Sequence, residues 1–217
     1  MYQSIKDFVE KSNKATLVAV SKTKPIEAIQ SMYDKGQRHF GENRVQELVD
    51  KYEALPKDIN WHLIGSLQKN KVKYIAPFIH MIHSCDGLEL AETIDKEAIK
   101  NNRRIKVLLQ VKIAEEETKQ GYEPSELLQD LESGGYEQLK SLEVCGLMGM
   151  ASFVEDEIQI RREFRSLSDL FTLIKNQFYK DASFFSERSM GMSGDYKIAL
   201  EEGATMVRIG SALFGSR

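Results

Sequence analysis

The chain has 217 residues, 41% hydrophobic and 29% charged, an ordinary balance for a water-exposed fold with a substantial core. Its net charge of −3 gives no general affinity for nucleic acid or anionic lipid. No run reaches the length of a membrane span, the N-terminal residues lack the apolar centre of a signal peptide, and the distant pair Cys85 and Cys145 forms neither a zinc motif nor a disulfide framework. The expectation is a cytoplasmic protein with reduced thiols, no membrane or nucleic-acid partner, and one domain over residues 1–217.

Ile5, Phe8 and Val9 have the spacing of a short amphipathic helix. Residues 16–20 read as a buried strand, and Pro25 suits the first turn of a helix with Ile26, Ile29, Met32 and Tyr33 on its apolar side, ended by Gly36. A weaker strand at 38–40 leads to a helix carrying Val45, Leu48, Val49 and Tyr52. Strands follow at 61–64, 78–83, 105–111 and 144–148, separated by helices through Val72 and Ile75, through Leu90 to Ala98, and over 124–132. Phe164, Leu167, Phe171, Ile174 and Phe178 stripe a long helix; a weak strand at 183–186, a helix near 194–202 and a strand at 205–209 complete the pattern.

Eight strands with helical crossovers predict an α/β fold, a single (β/α)8 TIM-type barrel. The seven intervening helices leave one gap in the outer ring, which the N-terminal helix is predicted to fill. A doubly wound open sheet is the alternative, weakened by the absence of a Gly-x-Gly-x-x-Gly turn after the first strand.

In such a barrel, chemistry sits at the C-terminal ends of the strands. The positions there are Lys22 after the first strand, Glu42 and Asn43 after the second, Ser189, Met192 and Ser193 after the seventh, and Arg208, Gly210 and Ser211 at the eighth. The Gly- and Ser-rich segments after the last two strands suit a phosphate, because small residues let backbone N–H groups approach it. A lysine at a barrel mouth, once neutral, can attack an aldehyde and form a Schiff base. Strand alternation puts Arg208 and Gly210 on one face, where the guanidinium needs a partner: a cofactor ring nitrogen or a carboxylate such as Glu42. The basic run Lys69-Asn70-Lys71-Val72-Lys73 reads as a solvated helix face. His80 and His83, three apart in the predicted fourth strand, point to opposite faces, and no metal site is predicted from them.

Six ordered segments resemble the YggS-type pyridoxal 5′-phosphate (PLP) homeostasis proteins: Leu-Val-Ala-Val-Ser-Lys-Thr-Lys-Pro at 17–25, Phe-Gly-Glu-Asn-Arg-Val-Gln-Glu at 40–47, Trp-His-Leu-Ile-Gly-Ser-Leu-Gln-Lys-Asn-Lys at 61–71, Cys-Gly-Leu-Met-Gly-Met at 145–150, Ser-Met-Gly-Met-Ser-Gly-Asp at 189–195 and Met-Val-Arg-Ile-Gly-Ser-Ala-Leu-Phe-Gly at 206–215. The resemblance implies a barrel like the N-terminal domain of alanine racemase, with PLP as cofactor and Lys22 as its Schiff-base lysine; Lys24 is the second candidate. It further implies Arg208 at the pyridine nitrogen, phosphate contacts at Ser189, Gly210 and Ser211 with Met192 and Ser193 nearby, and Asn43 beside the cofactor. His62 falls in a family motif without an assigned catalytic role.

Arginine stays protonated and can only donate to a ring nitrogen, which leaves the ring a weaker electron sink. A two-base racemase also needs an acid/base on the opposite cofactor face, and the chain stops at Arg217, just after the barrel. The expectation is therefore a monomeric PLP carrier or buffer in vitamin B6 homeostasis, without robust catalysis, serving PLP-dependent apoenzymes. The alternatives are a PLP-dependent amino-acid racemase of low activity and a Schiff-base aldolase.

Overall fold

Short apolar strands alternate with amphipathic helices, and the strands close on themselves. The structure is a computed structural model that describes residues 2–12, 14–114 and 120–215. Eight parallel strands form a closed barrel in sequence order: β1 (Thr16–Val20), β2 (His39–Glu42), β3 (Asn60–Leu63), β4 (Met81–Cys85), β5 (Ile105–Lys112), β6 (Leu142–Met150), β7 (Glu187–Ser189) and β8 (Met206–Ile209). β1 pairs with β8 across the seam, Val18 opposite Arg208. The helices are α1 (Tyr2–Lys11), α2 (Ile26–Asp34), α3 (Val45–Ala54), α4 (Val72–Ile75), α5 (Leu88–Lys100), α6 (Pro124–Glu132), α7 (Glu157–Phe178), α8 (Tyr196–Glu201) and the short α9 (Ser211–Phe214).

Two helices have clear local starts. α6 begins at Pro124 behind a capping box in which Glu123 and Glu126 satisfy each other's backbone N–H groups. Asp156 caps α7, accepting from the N–H groups of Ile158 and Gln159. α1 fills the ring position expected of it: Phe8 meets Tyr196 of α8 edge-on with ring centres 6.0 Å apart, and the Tyr2 hydroxyl donates to Gln37 beyond α2 at 3.1 Å.

Two strand positions differ from the sequence expectation. β4 starts at Met81 rather than Phe78, because the segment before it continues the turn after α4 and stacks Phe78 on Tyr52, ring centres 3.8 Å apart. β7 is Glu187–Ser189, not 183–186. The more apolar stretch is held as a turn: Lys175 of α7 donates to the carbonyls of Ala182 and Phe185, and Phe185 stacks between Phe171 and Tyr179. The polar residues that follow pair instead.

The alternation of the strands divides the buried residues in two. The layer between strands and helices contains Phe40, Trp61, Phe164, Phe185 and the buried isoleucines and leucines of both. The barrel interior contains a smaller cluster of Met81, Leu108, Cys145, Met148 and Met206. Gly146 is required where β6 passes β7. Its φ is +152°, and a Cβ there would lie 1.9 Å from the carbonyl oxygen of Glu187.

Candidate functional site at the barrel mouth

At the C-terminal end of the barrel, β1 and β8 lie side by side, so Lys22 and Arg208 come to one mouth from opposite ends of the sequence. Lys22 follows β1 by two residues and is half-buried. Its amine makes no hydrogen bond or ion pair with a described residue. The other lysines at this end are engaged. Lys24 donates to the carbonyls of Phe214 and Gly215 at 3.2 and 3.1 Å. Lys51 is buried and donates to Ser21 O (2.8 Å), Glu42 Oε1 (2.8 Å) and Glu47 Oε1 (2.6 Å). Sequence reasoning missed Lys51; the i, i+4 spacing of Glu47 and Lys51 was its one signal.

Arg208 is 4% exposed. Its Nη1 donates to Ser189 O at 2.7 Å and Ser189 Oγ at 2.6 Å, and its Nη2 to Gly149 O at 3.0 Å. Burial draws its pKa down to about 10, which leaves it charged at neutral pH. Glu42 is not its partner. That carboxylate takes Lys51 and the Ser21 hydroxyl (2.6 Å), while its Oε2 has no hydrogen-bond partner among the described residues. Burial raises the Glu42 pKa, against the donors that lower it. Arg208 is thus a buried cation with no carboxylate in ion-pair contact among the described residues; Asp195 acts on it only as a more distant charge.

The loops after β7 and β8 meet at Ser193, whose Oγ lies 3.3 Å from the N–H of Gly210 and 3.5 Å from that of Ala212. Gly191, at φ +91°, lets this loop pass under α8, where a Cβ would lie 2.5 Å from Ala199 Cβ. Its carbonyl accepts from the Arg208 N–H at 2.9 Å, which ties the two loops together. Met192 is in the turn into α8, its carbonyl accepting from Tyr196 N at 2.9 Å. Ser211 is exposed at the start of α9. Asn43 is half-buried where its backbone touches Gly65; a Cβ on that glycine would lie 2.4 Å from Asn43 O. Ser189 sits deeper, its hydroxyl shared by Arg208 and His83, so it supports the guanidinium.

Below Ser189 a line of histidines crosses the interior. His83 Nδ1 lies 3.0 Å from Ser189 Oγ, His62 Nδ1 lies 2.8 Å from His83 Nε2, and His39 Nδ1 lies 2.9 Å from His62 Nε2. Burial lowers the pKa of His39 and holds those of His62 and His83 well below the usual imidazole value, so these rings are neutral near pH 7. Sequence reasoning set His80 and His83 on opposite faces of the fourth strand and predicted no metal site from them; the structure places His80 just before that strand, with its ring beside those of His39 and His62.

The family model for the alanine racemase N-terminal domain matches residues 1–217. A pyridoxal phosphate homeostasis protein of Aquifex aeolicus is 44% identical over 206 residues, covering 94% of this chain and 88% of its own length. The chain belongs to this family. A second member, from Synechocystis, is 42% identical over 203 residues, 93% of this chain and 91% of that protein. Among solved structures, PipY of Synechococcus elongatus without PLP superposes with a TM-score of 0.91 at 36% identity, covering 99% of this chain and 98% of that one. The PLP-bound form of PipY gives 0.87 at 35% identity, with the same coverage. Alanine racemase of Clostridium difficile shares the barrel alone, with a TM-score of 0.76 at 13% identity over 55% of that chain. The expected barrel and family resemblance therefore both hold.

Proposed function

We propose that this chain binds PLP reversibly at the β1–β8 mouth, with Lys22 as its Schiff-base amine, and acts in PLP homeostasis as a buffer or donor of the cofactor. The carrying observation is the contrast among neighbouring lysines: Lys24 and Lys51 are tied down, while the Lys22 amine has no partner among the described residues. The donor set fits the group. PLP offers an aldehyde to an amine, a ring nitrogen that accepts a hydrogen bond, and a phosphate that accepts several.

In this reading Arg208 donates to the ring nitrogen, and its position is held by Ser189 and Gly149. The N–H groups of Gly210 and Ala212, now directed at Ser193 Oγ, serve the phosphate with the hydroxyls of Ser193 and Ser211. Asn43 and Met192 line the approach. The names of the relatives and the PLP-bound PipY structure support the same ligand.

Arg208 also argues for holding over turnover. A fixed guanidinium donates to a ring nitrogen without transferring a proton, so it does little to draw electrons into the ring. Recipients would be PLP-dependent apoenzymes. No helix among the described residues is long and apolar enough to cross a membrane.

The test is PLP uptake by the purified protein, followed by borohydride reduction and peptide mapping. A yellow protein that bleaches and carries the pyridoxyl mass on Lys22 is expected, with attachment abolished in Lys22→Ala. Attachment at Lys24, or a protein that takes up no PLP, overturns the assignment. Transfer to an apoenzyme, followed by recovered activity, tests delivery.

A further inference from the structure

All four histidines of the chain lie on one line or beside it. Three of them gather at the N-terminal floor, the end away from Lys22. His39 is the first residue of β2, His62 is the third of β3, and His80 immediately precedes β4. Parallel pairing places Gly41 opposite His62, so His39 and His62 share a face of adjacent strands, and the ring of His80, just outside β4, meets both.

Their ring centres form a nearly equilateral triangle, 5.2 Å for His39–His62, 5.5 Å for His39–His80 and 5.1 Å for His62–His80. One nitrogen from each lies within 4.8 Å of the other two. Tetrahedral ligation by imidazoles at about 2.0–2.1 Å puts the ligating nitrogens about 3.3 Å apart and their ring centres about 5 Å apart. The side chains therefore need to move only by fractions of an ångström to about an ångström to hold one ion. We propose that His39, His62 and His80 form a site for a divalent transition-metal ion of the zinc class in the floor of the barrel.

The surroundings are built as such sites are. A metal-bound histidine is oriented by a partner on its other ring nitrogen. His62 Nδ1 faces His83 Nε2 at 2.8 Å, and His39 Nε2 faces the side-chain amide of Asn60 at 3.3 Å. The amide oxygen of Asn60 accepts from that ring nitrogen after a flip about its terminal bond. His62 is fully buried, whereas His39 and His80 are half-buried, which leaves an entry path from the floor and a fourth position for water. Lys106 and Arg103 are the positive charges nearby: Lys106 is exposed, so its amine can turn to solvent, and the Arg103 guanidinium is held by the carbonyls of Ala76 and Ile79.

Ligation at His62 Nε2 leaves the proton on Nδ1, which must donate to His83 Nε2. His83 Nδ1–H then donates to Ser189 Oγ, so the Ser189 hydroxyl hydrogen can no longer point to His83. The ion would thus select one proton arrangement along the line.

The test uses untagged, chelator-treated full chain and the metals alone. Zinc titration followed by desalting and elemental analysis should retain one ion per chain. Cobalt(II) should give the intense visible bands of tetrahedral nitrogen ligation. His39→Gln and His80→Gln, both at half-buried positions, should weaken zinc at least tenfold and abolish the cobalt bands, with the circular dichroism spectrum unchanged. Failure of the parent protein to retain stoichiometric zinc overturns the site, as does binding that is unaltered in both variants. PLP attachment at Lys22 is read separately and is expected in all of these proteins.

Discussion

The two buried regions of this barrel are made from different chemistry. Between strands and helices the packing is aromatic and branched aliphatic, with Trp61, Phe164 and Ile94 wholly buried. Inside the strands it is sulfur-rich and polar: Met81, Cys145, Met148 and Met206 beside His62, His83, Ser189 and Arg208. The outer layer holds the fold by removing apolar area from water, and most of its side chains have no polar atom to satisfy; Trp61 Nε1 is buried without a hydrogen-bond partner among the described residues. The inner region contains groups that are costly to bury without partners, and each finds a partner in the next. Stability is concentrated in one layer and chemistry in the other.

Three measurements sharpen that division, in descending order of effect. Truncating the outer layer with Phe164→Ala should cost about 3–5 kcal/mol of unfolding free energy, seen as a lower denaturation midpoint. The PLP attachment site should stay at Lys22 in the folded fraction; loss of attachment alone would mean that the layers are not separable.

Acid should act through the inner region. His62 and His83 are unprotonated in the fold, whereas the unfolded chain binds protons below pH about 6.5. Stability is therefore intact above that pH and falls as the pH drops, by up to about 1.4 kcal/mol per pH unit for each such ring. Urea unfolding across pH 5–7 should show this slope. His83→Gln should flatten it by about one proton, while Phe164→Ala leaves it unchanged. A slope insensitive to His83 would contradict its neutral burial.

The smallest change should come from Met206→Leu in the interior. This near-isosteric exchange should cost less than about 1.5 kcal/mol in urea unfolding and leave the acid slope in place. A larger loss would mean that the sulfur-rich cluster is packed as tightly as the outer layer.

The outer layer was legible in the sequence because helical periodicity reports burial directly: Leu90, Ala91, Ile94 and Ala98 are all buried, and α6 has the expected bounds. β7 was not, since its residues Glu187–Ser189 pair through their backbone while the apolar Phe184 and Phe185 beside them form a turn. Lys22, Arg208 and the loop glycines were singled out from strand ends and motifs. What separates Lys22 from Lys24 is a contact with residues 190 positions away, which no local pattern encodes. The histidine line depends on the registers of four strands together, and the three-residue error at the start of β4 was enough to hide the grouping of His80 with His39 and His62.

The seam between β1 and β8 has a consequence for how the protein comes into being. Lys22 follows the first strand of the barrel, and Arg208 lies on its eighth. At roughly 5–20 residues per second, a growing chain displays that lysine for on the order of ten seconds before the arginine exists. Closure then depends on contacts very distant in sequence, which form slowly. If the proposed attachment at Lys22 holds, capture of the cofactor waits for that closure, and the appearance of yellow colour on a refolding chain would time the closing of the barrel.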